Sequence, residues 1–481
     1  MRTMPLSRIA EAAGGRLHGA DATHDVLIDA VATDSRVLDA GDGRAVLFFA
    51  LRGERFDAHD HLDAAMEGGA RAVVVSRPLD LPVPQVVVAD TQRALAAFAA
   101  SLQRRRAGKV FAITGSNGKT SVKTLLLSIL QQVGRAHANP GNLNNEIGLP
   151  LAVIDSPEDV AFAIYEMGAG KPGDIAYLTT VVRPQLALVN NVAPAHLERL
   201  GSLLGVADTK AAIYDALPAD GVAVINADDA FAPYFAERAH GRRLLRFGLD
   251  ASADIGARDI VEDAAGSRFI LVAPEGEVPV ALALPGRHNV RNALAAAALA
   301  LGAGAGLEAV RAGLEGARAV AGRLASHRLP GGATLVDDSY NANPGSLQAA
   351  IDTLAAGIGE GWLVLGDMRE LGADAEALHA EAGRRARSAG IARLYTLGPL
   401  SAHAARSFGD HARHFDSHAA LVQALRDDLR GAGEVRVLVK GSRGSAMDRI
   451  VAALLADGAT AGGTATAGAP TNDKGGATHA A

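Results

Sequence analysis

Residues 113–120 read Ile113-Thr114-Gly115-Ser116-Asn117-Gly118-Lys119-Thr120, and the fold turns on how this stretch is read. A short β-rich run, 109–114, leads into it, and an amphipathic helical pattern follows to about residue 132. Strand, glycine turn and helix form the context a phosphate loop needs. Glycines let backbone N–H groups approach phosphate oxygens, the lysine brings charge to the terminal phosphates, and the next hydroxyl can reach magnesium. The helix N-terminus adds its partial positive charge. The common pattern has a glycine five residues before Gly118, but that position is Ile113, so the loop is shortened. The competing reading is an ordinary glycine-rich turn, and Lys119-Thr120 in register weighs against it.

Working outward, the runs 161–165, 186–189 and 222–225 are short, apolar and bounded by Gly, Pro, Asn or Asp. They read as buried parallel strands between helices. The stretch 269–284, broken at 274–276, reads as antiparallel, and 289–301 as a helix. From residue 322, apolar runs at 333–336, 363–365, 394–396 and 435–439 alternate with helical segments at 346–355, 373–389, 419–429 and 447–455. That rhythm implies a second, mostly parallel sheet. Before the loop lie the runs 45–51 and 72–75 and a helical stretch, 91–106, ending in Arg104-Arg105-Arg106. The expected fold class is therefore α/β in three domains: 1–106, 107–321 carrying the loop on a central parallel sheet, and 322–457 with a Rossmann-like sheet. The Gly/Ala/Thr-rich stretch 458–481 reads as a disordered tail.

Composition bounds the chemistry. The 481 residues suit about three domains, and 49% hydrophobic residues exclude disorder for most of the chain. There is no cysteine. Disulfides, thiolate metal centres and thiol catalysis are excluded, and any metal must sit on His, Asp, Glu or hydroxyl oxygen. A reducing, cytoplasmic setting fits. The net charge of −6 argues against general nucleic-acid binding. The most apolar run, 293–307, is Ala/Gly-rich and falls short of the ~20 residues of a membrane span. The N-terminus carries Arg2, Arg8 and Glu11 and does not read as a secretory signal.

Several residues stand where a nucleotide site needs them. Glu166 follows a strand at the edge where α/β sheets bind ligands, and a carboxylate there can complete a magnesium shell. It could equally be a solvated strand-end acid. His196 follows the turn 190–194 as a second metal ligand or a helix-start residue. Lys210 lies in a helical stretch, 203–216, where spacing alone suggests a surface lysine. Asn289 and Asn292 fall on one helix face; amides read base edges, and they also cap helices. Asp338 could accept from a ribose hydroxyl, and Arg323 could meet transferring phosphate; a cap and a surface ion pair are the alternatives.

These motifs, in this order, resemble the Mur ligases, ATP-dependent amino-acid ligases of peptidoglycan precursor synthesis. The resemblance rests on 33–36, 114–120, 141–148, 166–169, 190–197, 201–210, 285–293, 322–323, 337–344, 366–372 and 439–443, and covers nearly all of 30–455. The shortened loop is the family's form. Within the family, Asp337-Asp338-Ser339-Tyr340-Asn341-Ala342-Asn343-Pro344 and Gly366-Asp367-Met368-Arg369-Glu370-Leu371-Gly372 look like the dipeptide-adding member. The Asp-Asn-Pro-Arg motif of diaminopimelate-adding members is absent. Gly170 departs from a usual asparagine and Ala212 from a frequent glutamate.

The resemblance implies roles. The first domain binds the UDP-sugar end of the substrate, the second ATP, the third the amino component. Gly115, Ser116, Asn117, Gly118 and Lys119 hold phosphates. Thr120 and Glu166 take one Mg2+; His196 and Lys210, the latter as a carbamate, take a second. Asn289 and Asn292 meet adenine, Asp338 the ribose and Arg323 the γ-phosphate. Lys119, His196, Lys210 and Arg323 form the catalytic set, and Ser35, Arg36, Asn144 and Asn145 contact substrate. The implied substrates are a UDP-N-acetylmuramoyl-tripeptide and D-alanyl-D-alanine, with ATP and Mg2+; the protein is expected to be a monomer, with no nucleic-acid partner and no membrane span. Open alternatives are a sister ligase, adding diaminopimelate or glutamate to folate, and a non-catalytic nucleotide-binding protein.

Overall fold

A computed structural model of the chain describes residues 1–19, 25–53, 56–194, 196–263 and 266–461. Of the expected tail, 462–481 lie outside the described residues, and the last helix, Asp448–Ala461, runs a turn past residue 457.

The phosphate-loop stretch leaves the middle of a six-stranded, wholly parallel sheet. Its order is Arg243–Phe247, Val222–Asn226, Leu186–Val189, Lys109–Thr114, Phe162–Glu166, Ala136–Ala138. The inner strands are almost entirely buried, as an apolar sequence between two helical layers must be. Chain order jumps on either side of Lys109–Thr114, so this is the point where the sheet winds both ways and a crevice opens at its C-terminal edge. Register completes the placement. Glu166 pairs with Ile113 and Val189 with Thr114, so the loops after all three strands leave from one line. Helices Lys119–Leu130 and Arg287–Gly302 pack on one face, which is closed by Leu125, Leu126, Ile129, Val290, Leu294 and their neighbours.

A three-stranded antiparallel sheet, Gly256–Asp263, Gly266–Ala273 and Gly276–Leu282, lies beside it. The third domain holds a second six-stranded sheet, ordered Ala325–Arg328, Thr334–Asp338, Val435–Lys440, Glu360–Gly366, Arg393–Leu397, Ala412–Phe415. All its pairings are parallel except that of Ala325–Arg328. The first domain has a five-stranded sheet and shares one apolar core with the middle domain, from Leu6 and Phe98 through to Leu149 and Tyr165. Arg106 ties the two by donating to the carbonyls of Val153 (2.8 Å) and Ser156 (2.6 Å).

Candidate active site

The C-terminal edges of the two six-stranded sheets face each other across a cleft of about 680 Å³, within the ~300–1,000 Å³ of small-molecule sites. Gly115 to Lys119, Asn144, Asn145, Glu166, His196, Lys210, Asn289, Asn292, Arg323 and Asp338 all line it. Of the residues expected to bind ligands, Thr120 is buried just beneath the loop, and Ser35 and Arg36 lie elsewhere, in a short 3-10 turn, Ser35–Val37. Arg36 is exposed and forks onto Asp34, with contacts of 2.7 and 2.9 Å.

Gly118 begins the helix at φ 77, a left-handed conformation that suits glycine. A Cβ there would lie 2.4 Å from Asn292 Oδ1 and 2.5 Å from Asn190 Nδ2, so the loop has no room for a side chain. Lys119 folds over the loop, donating to the Gly115 carbonyl at 2.7 Å. Burial lowers the pKa of its ammonium, and Glu166 partly offsets that.

Beneath the loop, the Thr120 hydroxyl donates to Glu166 Oε2 at 2.7 Å, and Asn144 Nδ2 donates to Oε1 at 2.8 Å. Lys123 Nζ stands 3.3 Å from the same carboxylate and is buried with it. Burial would raise the pKa of Glu166, but Lys123, Lys119 and the Thr120 hydroxyl outweigh it and keep the carboxylate charged. The sequence reading missed Lys123. Its signal was present: Lys119 and Lys123 stand four apart on a helix otherwise rich in Leu, Ile and Val, hence on one face. Asn139, also missed, holds the Glu166 backbone from both sides, accepting from its N–H at 2.8 Å and donating to its carbonyl at 3.1 Å.

The donor set fits magnesium. A hydroxyl and a charged carboxylate are hard oxygen ligands. Among the described residues no three His, Asp or Glu side chains gather into a protein-only metal cage. Magnesium characteristically takes one or two protein ligands and completes its shell with phosphates and water.

Lys210 corrects the surface-lysine alternative. It is 2% exposed on helix Leu203–Asp215, and among the described residues its amine has no hydrogen bond or ion pair. Burial, aided by the charge of Lys119, pushes it down to about 7. His196 has a left-handed backbone, φ 54, and its Nδ1 meets Glu370 of the third domain, itself at φ 61.

The buried amides do more for the loop than for the open cleft. Asn292 Oδ1 accepts from Asn190 at 3.1 Å, and Asn190 donates to the Asn117 carbonyl at 2.9 Å. Asn289 donates to the Pro285 carbonyl at 2.8 Å, and the exposed Asn145 accepts from the Gly148 N–H at 2.7 Å where helix Gly148–Asp155 starts. Asp338 is held by Lys440 at 2.5 Å, a partner the sequence reading did not name. Arg323 lies 4.3 Å from the ring centre of Tyr340 and, among the described residues, makes no side-chain hydrogen bond or ion pair.

A phosphate loop above a hydroxyl–carboxylate pair, closed by a second parallel sheet, defines a nucleotide-using enzyme of the α/β phosphate-loop class. Family models agree on both halves: a Mur ligase middle domain matches residues 113–300, and a Mur ligase glutamate ligase domain matches 322–443. The UDP-N-acetylmuramoyl-tripeptide–D-alanyl-D-alanine ligase of Escherichia coli K12 is 44% identical over 95% of this chain and 100% of its own length. A crystal structure of MurF from Acinetobacter baumannii superposes with TM-score 0.89 at 32% identity, covering 95% of this chain and 99% of that one. The MurF ligase of Thermotoga maritima, solved in complex with ADP, gives 0.79 at 26% identity over 90% and 98%. The chain belongs to the Mur ligase family.

Proposed function

We propose that the chain joins D-alanyl-D-alanine to the free carboxylate of a UDP-N-acetylmuramoyl-tripeptide, cleaving ATP to ADP and phosphate. The observation that carries this reading is the gathering of Lys119, Thr120, Glu166 and Lys210 at one sheet edge, facing Arg323 and the 337–344 loop across a single cleft. The likeness to the E. coli enzyme over its entire length supports the choice of substrates. Residues 1–106 take the UDP-sugar end, with Ser35 and Arg36 in contact. Residues 107–321 take ATP, and 322–457 the dipeptide.

The first step brings together two anions, a carboxylate and the γ-phosphoryl group. Phosphoryl transfer of this kind is accelerated mainly by positioning and charge stabilisation. Lys119 and the loop N–H groups hold the β- and γ-phosphates. Arg323, which makes no close ion pair among the described residues but feels Glu166 and Asp338 nearby, stabilises charge on the transferring group. Thr120 and Glu166 would hold one magnesium, and His196 and Lys210 a second; the ions, when bound, neutralise phosphate charge. The carboxylate oxygen bonds to phosphorus as the bond to ADP breaks. The neutral amine of the dipeptide then adds to the acyl carbon, the nitrogen gives up a proton to solvent, and the tetrahedral intermediate collapses with phosphate as the leaving group. Asn289 and Asn292 set the adenine end through the helix they share, and Asp338 with Lys440 the ribose end.

The carbamate on Lys210 that the family resemblance implies is supported by its environment. With its amine near 7, a large neutral fraction is present at neutral pH. A neutral amine adds to carbon dioxide, and the carbamic acid loses a proton to give an anion. That anion suits a metal, whereas an ammonium there would repel one.

The test is phosphate release by the purified protein. It should need both the UDP-sugar tripeptide and the dipeptide. Equal release with glutamate and a folate acceptor would contradict the reading.

A further inference from the structure

The middle and third domains meet at the cleft through polar contacts, and one of them has an unusual construction. Asn343 caps helix Pro344–Ala356 in a reciprocal box: its Oδ1 accepts from the Ser346 N–H at 2.9 Å, and its own N–H donates to Ser346 Oγ at 3.1 Å. The cap turns the amide oxygen towards the helix, so the NH2 group must point away. It donates across the cleft to Asn117 Oδ1, at 2.7 Å, joining residues 226 apart in sequence. Asn117 is itself fixed from behind. Its N–H donates to Asn191 Oδ1 at 2.8 Å, and its carbonyl accepts from Asn190 at 2.9 Å and Asn191 at 3.1 Å. Gly345 lets the helix come this close, because a Cβ there would meet Asn117 Nδ2 at 3.2 Å and the Ala193 Cβ at 3.3 Å.

We propose that Asn343 is a positioning residue that clasps the third domain onto the phosphate loop through Asn117, keeping water from the acyl phosphate. The proposal rests on the ligase reading above. One neutral amide bond changes an equilibrium about three- to tenfold, strong enough to bias closure and weak enough to release product. With the clasp open, water attacks the acyl phosphate; its C–O–P bridge breaks, carboxylate and inorganic phosphate leave, and a proton goes to solvent. ATP is then spent without a peptide bond.

Asn343→Ser separates cap from clasp. Serine caps a helix nearly as well as asparagine but is too short to reach Asn117, and Asn117→Ala breaks the same bond without touching the cap. The first measurement, on the full chain, is phosphate released per peptide bond formed. We expect about one in the wild type, at least about two in each single variant, and no further rise in the double variant, as for two ends of one interaction. The thermal midpoint of Asn343→Ser should match the wild type. The second measurement is the distance between spin labels on Glu237→Cys and Asp410→Cys, two exposed sites in a chain with no native cysteine. The parent should give one narrow distribution with ATP, and adding Asn343→Ser should broaden it towards longer distances. A ratio of one in both single variants, or an unchanged distance distribution, overturns the clasp. If the wild type forms no product, the ligase reading fails, and the distances still decide the clasp.

Discussion

Lys210 shows how far a site can depend on burying one group. A buried lysine at the wall of the cleft, with no partner among the described residues, is costly as a cation, and here the cost appears as an amine that titrates near neutrality. Two outcomes follow. Lys210→Ala should abolish most activity, and added bicarbonate should not restore it. Wild-type enzyme stripped of carbon dioxide should regain activity on adding bicarbonate. With dissolved carbon dioxide held constant, the rate of regain should climb as pH rises through about 7, because the reactive neutral amine grows in that range; a rate independent of pH under that condition would count against the carbamate. Glu166 makes the complementary case. Its carboxylate is charged because Lys123 and Lys119 hold it so. Glu166→Gln leaves the Lys123 ammonium buried beside a neutral amide. Removing one partner of a buried pair costs about 3–5 kcal/mol, so urea denaturation should show a loss near 3 kcal/mol together with weakened magnesium dependence.

At the scale of elements, the phosphate loop works because strand Lys109–Thr114 sits at the switch point and Gly118 has no side chain. Gly118→Ala should push the loop off Asn292 and Asn190. ATP affinity, read by nucleotide titration, should fall by tenfold or more, while the apolar core behind the helix stays folded. This motif was legible in the sequence because its parts are neighbours in the chain. So were the inner strands, whose apolar runs match Leu186–Val189 and Val222–Asn226 almost residue for residue. Outside the first domain, the strands the pattern did not announce are Ala136–Ala138, Arg243–Phe247, Gly256–Asp263, Ala325–Arg328 and Ala412–Phe415. Each lies at a sheet edge. Edge strands carry charge, such as Arg258, Asp259 and Arg413, to discourage pairing with other chains, and this masks the apolar signal. Partnerships across the fold were also hidden. Lys123 with Glu166, Asp338 with Lys440, and His196 with Glu370 depend on strand order and domain packing, which no local pattern encodes.

At the scale of the molecule, three domains divide the work. The first domain is welded to the second by a shared core and by Arg106. The third faces the second across the cleft through Asn117–Asn343 and His196–Glu370. A pair of sheets meeting by polar contacts over a cleft can open for substrates and close for chemistry, which an acyl phosphate in water requires. No helix among the described residues is long and apolar enough to cross a membrane. The central claim concerns what this arrangement makes. Mass analysis of the product formed from ATP, a UDP-N-acetylmuramoyl-tripeptide and D-alanyl-D-alanine, with phosphate counted alongside, tests it most directly. The account predicts the UDP-N-acetylmuramoyl-pentapeptide with one phosphate per peptide bond, and no phosphate when either acceptor or dipeptide is withheld. An unchanged tripeptide, or the same phosphate release with glutamate and a folate in their place, would contradict it.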